Sequence, residues 1–371
     1  MKVLVTYVSA GSGHKRIAES ITAYLKSNFS QHDIQIYDAL DYTNVFLRKS
    51  YSGLYNFLVK YARWAWWACF WFTDAKWLYL LSKPLMFISH RLTTAGFAKF
   101  LIKQNADMVI STHFLPSEIV SFLKKRKKIN SLLATVITDY GVHSYWIHSH
   151  TDLYAVASTA TRDILISKGV ENQHIRITGL PVEDKFVIAH DRKNICCRLG
   201  IKEGEFTALI MTGSFGMGPI KEVARCLEGK AQLLVVCAKN QRLFKQLKDL
   251  NLKDVKVFGF ISNVYELMAV SDIIITKPGG STVSEILAMG LVPVFISAIP
   301  GQEYENARVL AEHGIGNTPA NIKELESLVL DYKAHPEKLA AVKANMKKFF
   351  VPHADSELSN ALCKGSVRPL N

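Results

Sequence analysis

Ile273-Ile-Ile-Thr-Lys-Pro-Gly-Gly-Ser-Thr-Val-Ser-Glu-Ile-Leu-Ala-Met-Gly290 joins a strand, a glycine turn and a helix start without interruption. The β-branched run ending at Ile275 suits a strand buried in a parallel sheet, and Gly279 and Gly280 let backbone approach a ligand closely. Ser281 or Thr282 is positioned to cap the helix that follows. Free amides and the positive end of that helix then converge on one point, which suits a diphosphate. One turn on, Glu285 can accept two hydrogen bonds from a ribose diol, which favours a nucleotide over bare phosphate. Two glycines in a strand-turn-helix also occur as ordinary turn chemistry.

Working outward, a second such turn lies near the start of the chain. Val3-Leu-Val-Thr-Tyr-Val8 runs into Ser9-Ala-Gly-Ser-Gly-His14 and then an amphipathic stretch carrying Ile17, Ile21, Tyr24 and Leu25. With 371 residues and 49% hydrophobic content the chain can bury two cores of ordinary size. Strands are expected at 2–8, 34–37, 107–111, 132–137, 153–157 and 174–177, and a second set at 206–212, 232–237, 254–258, 272–275 and 292–295, with helices between. The fold class is α/β: two doubly wound, Rossmann-like domains facing a cleft. A linker is expected from Gly179-Leu-Pro181, a terminal helix at 337–350 and a tail at 351–371. The expected division is 1–185, 186–345 and 346–371.

No charged leader followed by an apolar stretch opens the sequence, so a cytoplasmic location is expected. Six cysteines (Cys69, Cys196, Cys197, Cys226, Cys237, Cys363) show no metal-ligand spacing and are read as reduced and structural. Charge is uneven: residues 1–150 hold 18 Lys+Arg against 8 Asp+Glu, which is +10 of the total +13. The partner of that half is therefore anionic, either nucleic acid or lipid.

The aromatic residues decide between the two. Five of the six tryptophans fall between Trp64 and Trp77. The segment from Tyr51 to Asp74 is too often interrupted, by Lys60, Arg63 and Asp74, to span a bilayer with about 20 apolar residues. It can lie on one, with Trp64, Trp66, Trp67 and Trp71 at headgroup depth. Lys60, Arg63, Lys76, Lys83, Arg91 and the run Lys124–Lys128 would then meet acidic lipid. A core helix with solvated basic ends is the bland alternative, but this many tryptophans exceed what a small core needs. Single-stranded nucleic acid would require aromatics spaced along a groove, and these lie side by side, so no nucleic-acid partner is expected.

Further stretches fit a nucleotide-sugar site. Met211-Thr-Gly-Ser-Phe-Gly-Met-Gly218 follows the first strand of the second set, and Gly213 and Ser214 allow close approach to phosphate. Pro300-Gly-Gln-Glu-Tyr-Glu-Asn306 offers amides and carboxylates for sugar hydroxyls, or reads alone as an ordinary polar helix start.

Taken together, these motifs resemble the diacylglycerol glycosyltransferases. That group holds the bacterial processive diacylglycerol glucosyltransferases and the monogalactosyldiacylglycerol synthases, with the lipid-linked peptidoglycan glycosyltransferase as a more distant relative. The resemblance covers nearly the whole chain and rests on Ser9-Ala-Gly-Ser-Gly-His14, Ser111-Thr-His113, Thr138-Asp-Tyr140, His143-Ser-Tyr-Trp-Ile-His148, Thr178-Gly-Leu-Pro181, Lys277–Glu285 and Gly301-Gln-Glu303. The family's first turn often carries three glycines, where this chain has Gly11-Ser12-Gly13.

The resemblance implies a metal-independent GT-B fold that binds UDP-hexose in the C-terminal domain and diacylglycerol under the N-terminal one. It would be peripheral on the inner membrane face. Glu285 would hold ribose; Gly279, Gly280, Ser281 and Thr282, beside Lys277, the diphosphate; Ile261 after Phe260 the uracil; Gln302, Glu303 and Asn306 the sugar. Gly13, His143, Tyr145 and Trp146 would line the acceptor side.

His14 is the candidate general base, since an imidazole can take the proton of an attacking hydroxyl. It can equally cap the adjacent helix start. Asp139 is the second candidate, or orients a histidine such as His143. Direct attack on an α-linked donor gives a β-glycoside. The alternatives are a peptidoglycan-type N-acetylglucosaminyltransferase, a soluble UDP-sugar epimerase of the same architecture, and a non-catalytic membrane or nucleic-acid module.

Overall fold

A computed structural model describes residues 1–9, 12–43, 62–74 and 94–365. The chain divides by internal contacts into two compact units. The first is Met1–Val182 with Ile299–Glu305 and Val351–Asn371; the second is Glu183–Ala298 with Asn306–Phe350.

The first unit is built on six parallel strands: β1 (Lys2–Tyr7), β2 (Asp33–Asp38), β3 (Met108–Ser111), β4 (Leu132–Val136), β5 (Leu153–Val156) and β6 (Ile175–Ile177). Their order is β2-β1-β3-β4-β5-β6, with Thr6 of β1 level with Ser111 of β3. Leu4, Phe97, Val109, Leu115, Val120 and Leu133 form one core cluster, and Ile137, Trp146, Tyr154, Val156 and Leu165 another. Trp146, expected on the acceptor side, is therefore a core residue.

The second unit carries β7 (Thr207–Met211), β8 (Gln232–Val236), β9 (Val255–Phe258), β10 (Ile273–Thr276) and β11 (Val292–Phe295), all parallel, in the order β11-β10-β7-β8-β9. Strands buried on both faces read as continuous apolar runs, and all of β10 is buried. All eleven strands lie where the sequence places them.

These strand orders locate two switch points. In the first unit the chain steps from β1 to β2 on one side, then returns to place β3 on the other side of β1. In the second it runs from β7 out to β9 and returns to place β10 beside β7. At such a reversal the loops leaving the carboxyl ends of the two strands diverge, opening a crevice where ligands bind.

Residues 351–371, expected as a tail, contain a helix, Ala354–Gly365. It packs on helix Ser12–Asn28 and on β5 with Leu358, Ala361 and Leu362 buried. Gly179 turns with φ +74, and a Cβ there would lie 2.8 Å from the Val351 carbonyl oxygen, so this turn accepts the returning chain only as glycine.

Candidate functional site

In the second unit, the loops after β7 and β10 flank the switch point. Helix Gly280–Met289 starts directly after β10, with Gly279 at its N-cap in an extended conformation (φ −73, ψ 137) and no side chain capping it. Ser281 and Thr282 thus lie inside the first turn and are not the caps the sequence suggests. The consequence favours an anion: the cap residue has no side chain to accept from the first amides, and no acidic residue stands in the first turn. Gly280 is buried, while Lys277, Gly279, Ser281 and Thr282 are half-buried.

A Cβ built on Gly279 meets nothing within 4 Å, and the same holds at Gly213 after β7, which has φ +78. Both turns leave open space beside the backbone. Ser214 follows Gly213, and its carbonyl accepts from the Lys239 amide at 3.4 Å. Buried hydroxyls of Thr212 and Thr276 at the ends of these adjacent strands find no partner among the described residues, which fits a polar ligand at the switch point. Glu285, one turn into the helix, is 4% exposed. Phe260 is exposed beyond β9 and Ile261 beside it is half-buried.

Asn306 has a different duty from the one expected. It is fully buried, and its Nδ2 donates to the Pro278 carbonyl at 3.0 Å, so it holds the glycine turn instead of meeting a sugar. Gln302 and Glu303 open helix Gln302–Glu312 and group with the first unit. One carboxylate oxygen of Glu303 accepts from the Ile299 amide at 2.7 Å, fixing the helix entry.

In the first unit, His14 stands in the first turn of helix Ser12–Asn28, beside Gly13 and directly after β1, at the other switch point. Its Nδ1 lies 2.9 Å from the Thr112 carbonyl, beyond the end of β3, and 2.9 Å from the Thr138 hydroxyl beyond β4. A carbonyl can only accept, so Nδ1 carries the proton and Nε2 keeps the lone pair. The histidine does not cap its own helix. Burial pushes its pKa below the ordinary histidine value, against the upward pull of the nearby Asp139 carboxylate and of the Thr112 carbonyl. The result is an imidazole neutral at pH 7, with a carboxylate ready to stabilise its cation.

Two residues without an expected role complete this group. His113 packs edge-on against His14 at 4.8 Å, and its Nδ1 accepts from the Leu115 amide as the cap of helix Phe114–Lys125. Thr112 also returns its hydroxyl to the His14 carbonyl at 3.0 Å. Their signal in the sequence is Ser111-Thr-His113, which gains meaning once β3 is known to neighbour β1.

His143 is held against helix Arg63–Asp74, with Asp74 beside it. It is buried, its Nδ1 accepts from the Tyr145 amide, and its Nε2 donates to the Phe70 carbonyl at 3.1 Å, with Asp74 Oδ1 at 3.9 Å. Burial lowers its pKa, opposed by Asp74 and the Phe70 carbonyl. Tyr145 is half-buried, ring to ring with His143 at 4.3 Å.

Helix Arg63–Asp74 presents Trp64, Trp67 and Trp71 at 77%, 52% and 65% exposure, with Phe72 beside them at 61%. Spaced by three and four, the tryptophans form one outward stripe. This excludes the core reading for those three. The side chains of Trp66 and Arg63, and residues Lys60, Lys76, Lys83 and Arg91, lie outside the described residues. The run Lys124–Lys128 ends helix Phe114–Lys125 at the edge where β4 and β5 begin, with Lys124 paired to Asp152. That is the opposite edge of the sheet from His14.

Comparison with known proteins adds the family. The family model for monogalactosyldiacylglycerol (MGDG) synthase matches residues 14–182, and that for the glycosyltransferase family 28 C-terminal domain matches 207–358. A processive diacylglycerol beta-glucosyltransferase of Staphylococcus saprophyticus is 31% identical over 284 residues, covering 73% of this chain and 69% of the relative. The chain belongs to the diacylglycerol glycosyltransferase family.

The enzyme of the same name from Staphylococcus epidermidis is 28% identical over 97% of this chain and 92% of its own. Among solved structures, Acinetobacter baumannii MurG superposes with a TM-score of 0.63 at 14% identity, covering 98% of this chain and 99% of that one. UDP-GlcNAc 2-epimerase of Neisseria meningitidis gives 0.64 at 13%, covering 98% and 100%. The GT-B architecture is thus shared by transferases and epimerases; family membership, not architecture, separates them. In this chain His14 and Thr112 stand at one switch point and Gly279 to Glu285 at the other.

Proposed function

We propose that this chain transfers a hexosyl group from a UDP-sugar to the hydroxyl of diacylglycerol with inversion, giving a β-glycosyldiacylglycerol. The observation that carries the donor half is the uncapped start of helix Gly280–Met289 with the buried carboxylate of Glu285 one turn inside it. Glu285 takes the ribose diol and the Gly280, Ser281 and Thr282 amides take the diphosphate. Phe260 and Ile261 receive the uracil, and Gln302 and Glu303 the hexose.

In the reaction the acceptor oxygen attacks the anomeric carbon as its proton passes to His14 Nε2. The bond from that carbon to UDP breaks, and UDP leaves with the electron pair. Nδ1–H stays on the Thr112 carbonyl, and Asp139 stabilises the imidazolium formed. Charge developing on UDP is met by helix amides aimed at it, so turnover is expected to survive a chelator.

Membrane association is part of the same reading. Among the described residues no helix is long and apolar enough to cross a bilayer. The stripe of Trp64, Trp67 and Trp71 supports a peripheral seat on a membrane, which this reading puts on the inner face with anionic lipid adding attraction. Radiolabelled UDP-glucose and UDP-galactose, each offered with diacylglycerol in mixed vesicles, should yield a labelled glycolipid from at least one. No glycolipid from either, with product instead from UDP-N-acetylglucosamine and a lipid-linked muropeptide, would overturn the reading.

A further inference from the structure

The aromatic helix is more than an exposed stripe, because its inner side is bound at two places in the first unit. At its end, Asp74 Oδ1 accepts from the Ser144 amide at 2.8 Å, the Ser144 hydroxyl at 2.9 Å and the Lys168 ammonium at 2.7 Å. The Ser144 hydroxyl also reaches the Asp74 carbonyl at 3.1 Å. About one turn earlier, the Phe70 carbonyl accepts from His143, and the Phe70 ring lies 4.4 Å from the His143 ring.

The same Phe70 ring closes on Gly301. A Cβ there would stand 2.7 Å from the ring, and φ is +100, so the contact exists only because residue 301 is glycine. Gly301 directly precedes Gln302 and Glu303. Nearby, a Cβ on Gly141 would meet Glu305 at 2.5 Å, so the Ile299–Glu305 segment is packed tightly against the 141–144 loop as well. Burial pushes the Asp74 carboxyl up, but Lys168, His143 and Ser144 outweigh it and hold it below the usual carboxylate value. It is ionised at neutral pH.

We propose that Asp74 is a positioning residue: by clamping helix Arg63–Asp74 to Ser144 and Lys168 it keeps Phe70 on Gly301, so that seating the Trp64–Trp67–Trp71 face in a bilayer sets the placement of Gln302 and Glu303. The inference rests on the reading of those two residues as sugar contacts. Transfer is then coupled to the membrane through packing. Removing the clamp leaves the stripe able to insert but uncouples it from the sugar-contact segment.

Asp74→Ala is expected to lower kcat on vesicle-embedded diacylglycerol about tenfold, a misplacement effect. UDP affinity by calorimetry, vesicle flotation and KM for the UDP-sugar should stay within twofold. Asp74→Asn, which keeps an acceptor for Ser144, should recover most of the loss. Phe70→Ala should reproduce it with the Asp74 bonds intact. Wild-type kcat in Asp74→Ala, or loss of flotation and kcat in proportion, would overturn the proposal. So would wild-type kcat in Phe70→Ala.

Hydrogen exchange keeps the test independent of the assigned acceptor. Asp74→Ala on vesicles should speed exchange both in 63–74 and in 299–305. Faster exchange confined to 63–74, or a lost cooperative melt together with lost UDP binding, counts against coupling. If wild-type protein makes no glycolipid, the functional reading fails, and exchange alone decides the clamp.

Discussion

His14 shows how one contact narrows the role proposed for a residue. Because the Thr112 carbonyl takes the Nδ1 proton, Nε2 is the only atom that can act as base, and its lowered pKa makes it available below the range of a solvent-exposed imidazole. His14→Ala should lower kcat by about 10² with UDP affinity little changed. The base must be unprotonated, so the acid limb of the kcat profile should lie below the ordinary histidine pKa. Asp139 raises that pKa; Asp139→Asn should therefore move the limb to still lower pH while reducing kcat. Abolished activity in Asp139→Asn together with full activity in His14→Ala would make Asp139 the base. For the donor, Glu285→Ala should weaken UDP binding by roughly 1.5–3 kcal/mol, the scale of a charge-assisted hydrogen bond, which calorimetry would read directly.

At the scale of elements, some features were legible and others were not, for physical reasons. Strands such as Ile273–Thr276 show themselves because both faces are buried and every position is apolar or β-branched. The helix after β10 was legible in existence but not in its cap: Ser281 and Thr282 are good capping residues, and only the extended backbone of Gly279 puts the boundary before them. Asn306 looked like a sugar ligand because its polarity was visible and its burial was not. The helix Ala354–Gly365 carries an apolar spacing, but Pro352 just before it reads as an ending, and its partners lie at the start of the chain. Gly279 yields a test. An alanine there meets no neighbour and keeps an ordinary φ, so Gly279→Ala should leave Tm unchanged or slightly higher. If the space beside it receives the diphosphate, UDP affinity should nonetheless fall at least tenfold; full affinity would move the diphosphate elsewhere.

At the scale of the whole molecule, the excess positive charge of the first 150 residues is less uniform in purpose than its total suggests. In the proposed reaction an acceptor lipid brings its hydroxyl to His14, at the carboxyl edge of the first sheet, whereas Lys125, Arg126, Lys127 and Lys128 follow the helix down to the edge where β4 and β5 begin. Strands of four to six residues put those edges roughly 13–20 Å apart. One charge run can therefore be separated from the aromatic stripe by experiment. Trp67→Ser/Trp71→Ser removes two exposed indoles that touch each other across 6.3 Å, so the fold should melt cooperatively as before. That variant should leave the vesicles at any ionic strength and lose more activity on vesicle-embedded diacylglycerol than on a soluble short-chain analogue. Lys125→Glu/Lys128→Glu should stay on the vesicles and keep its activity within about twofold, apart from a long-range part that 0.15 M salt screens. Flotation lost in the charge variant but kept in the tryptophan variant would reverse the assignment and put the membrane on the opposite edge of the sheet.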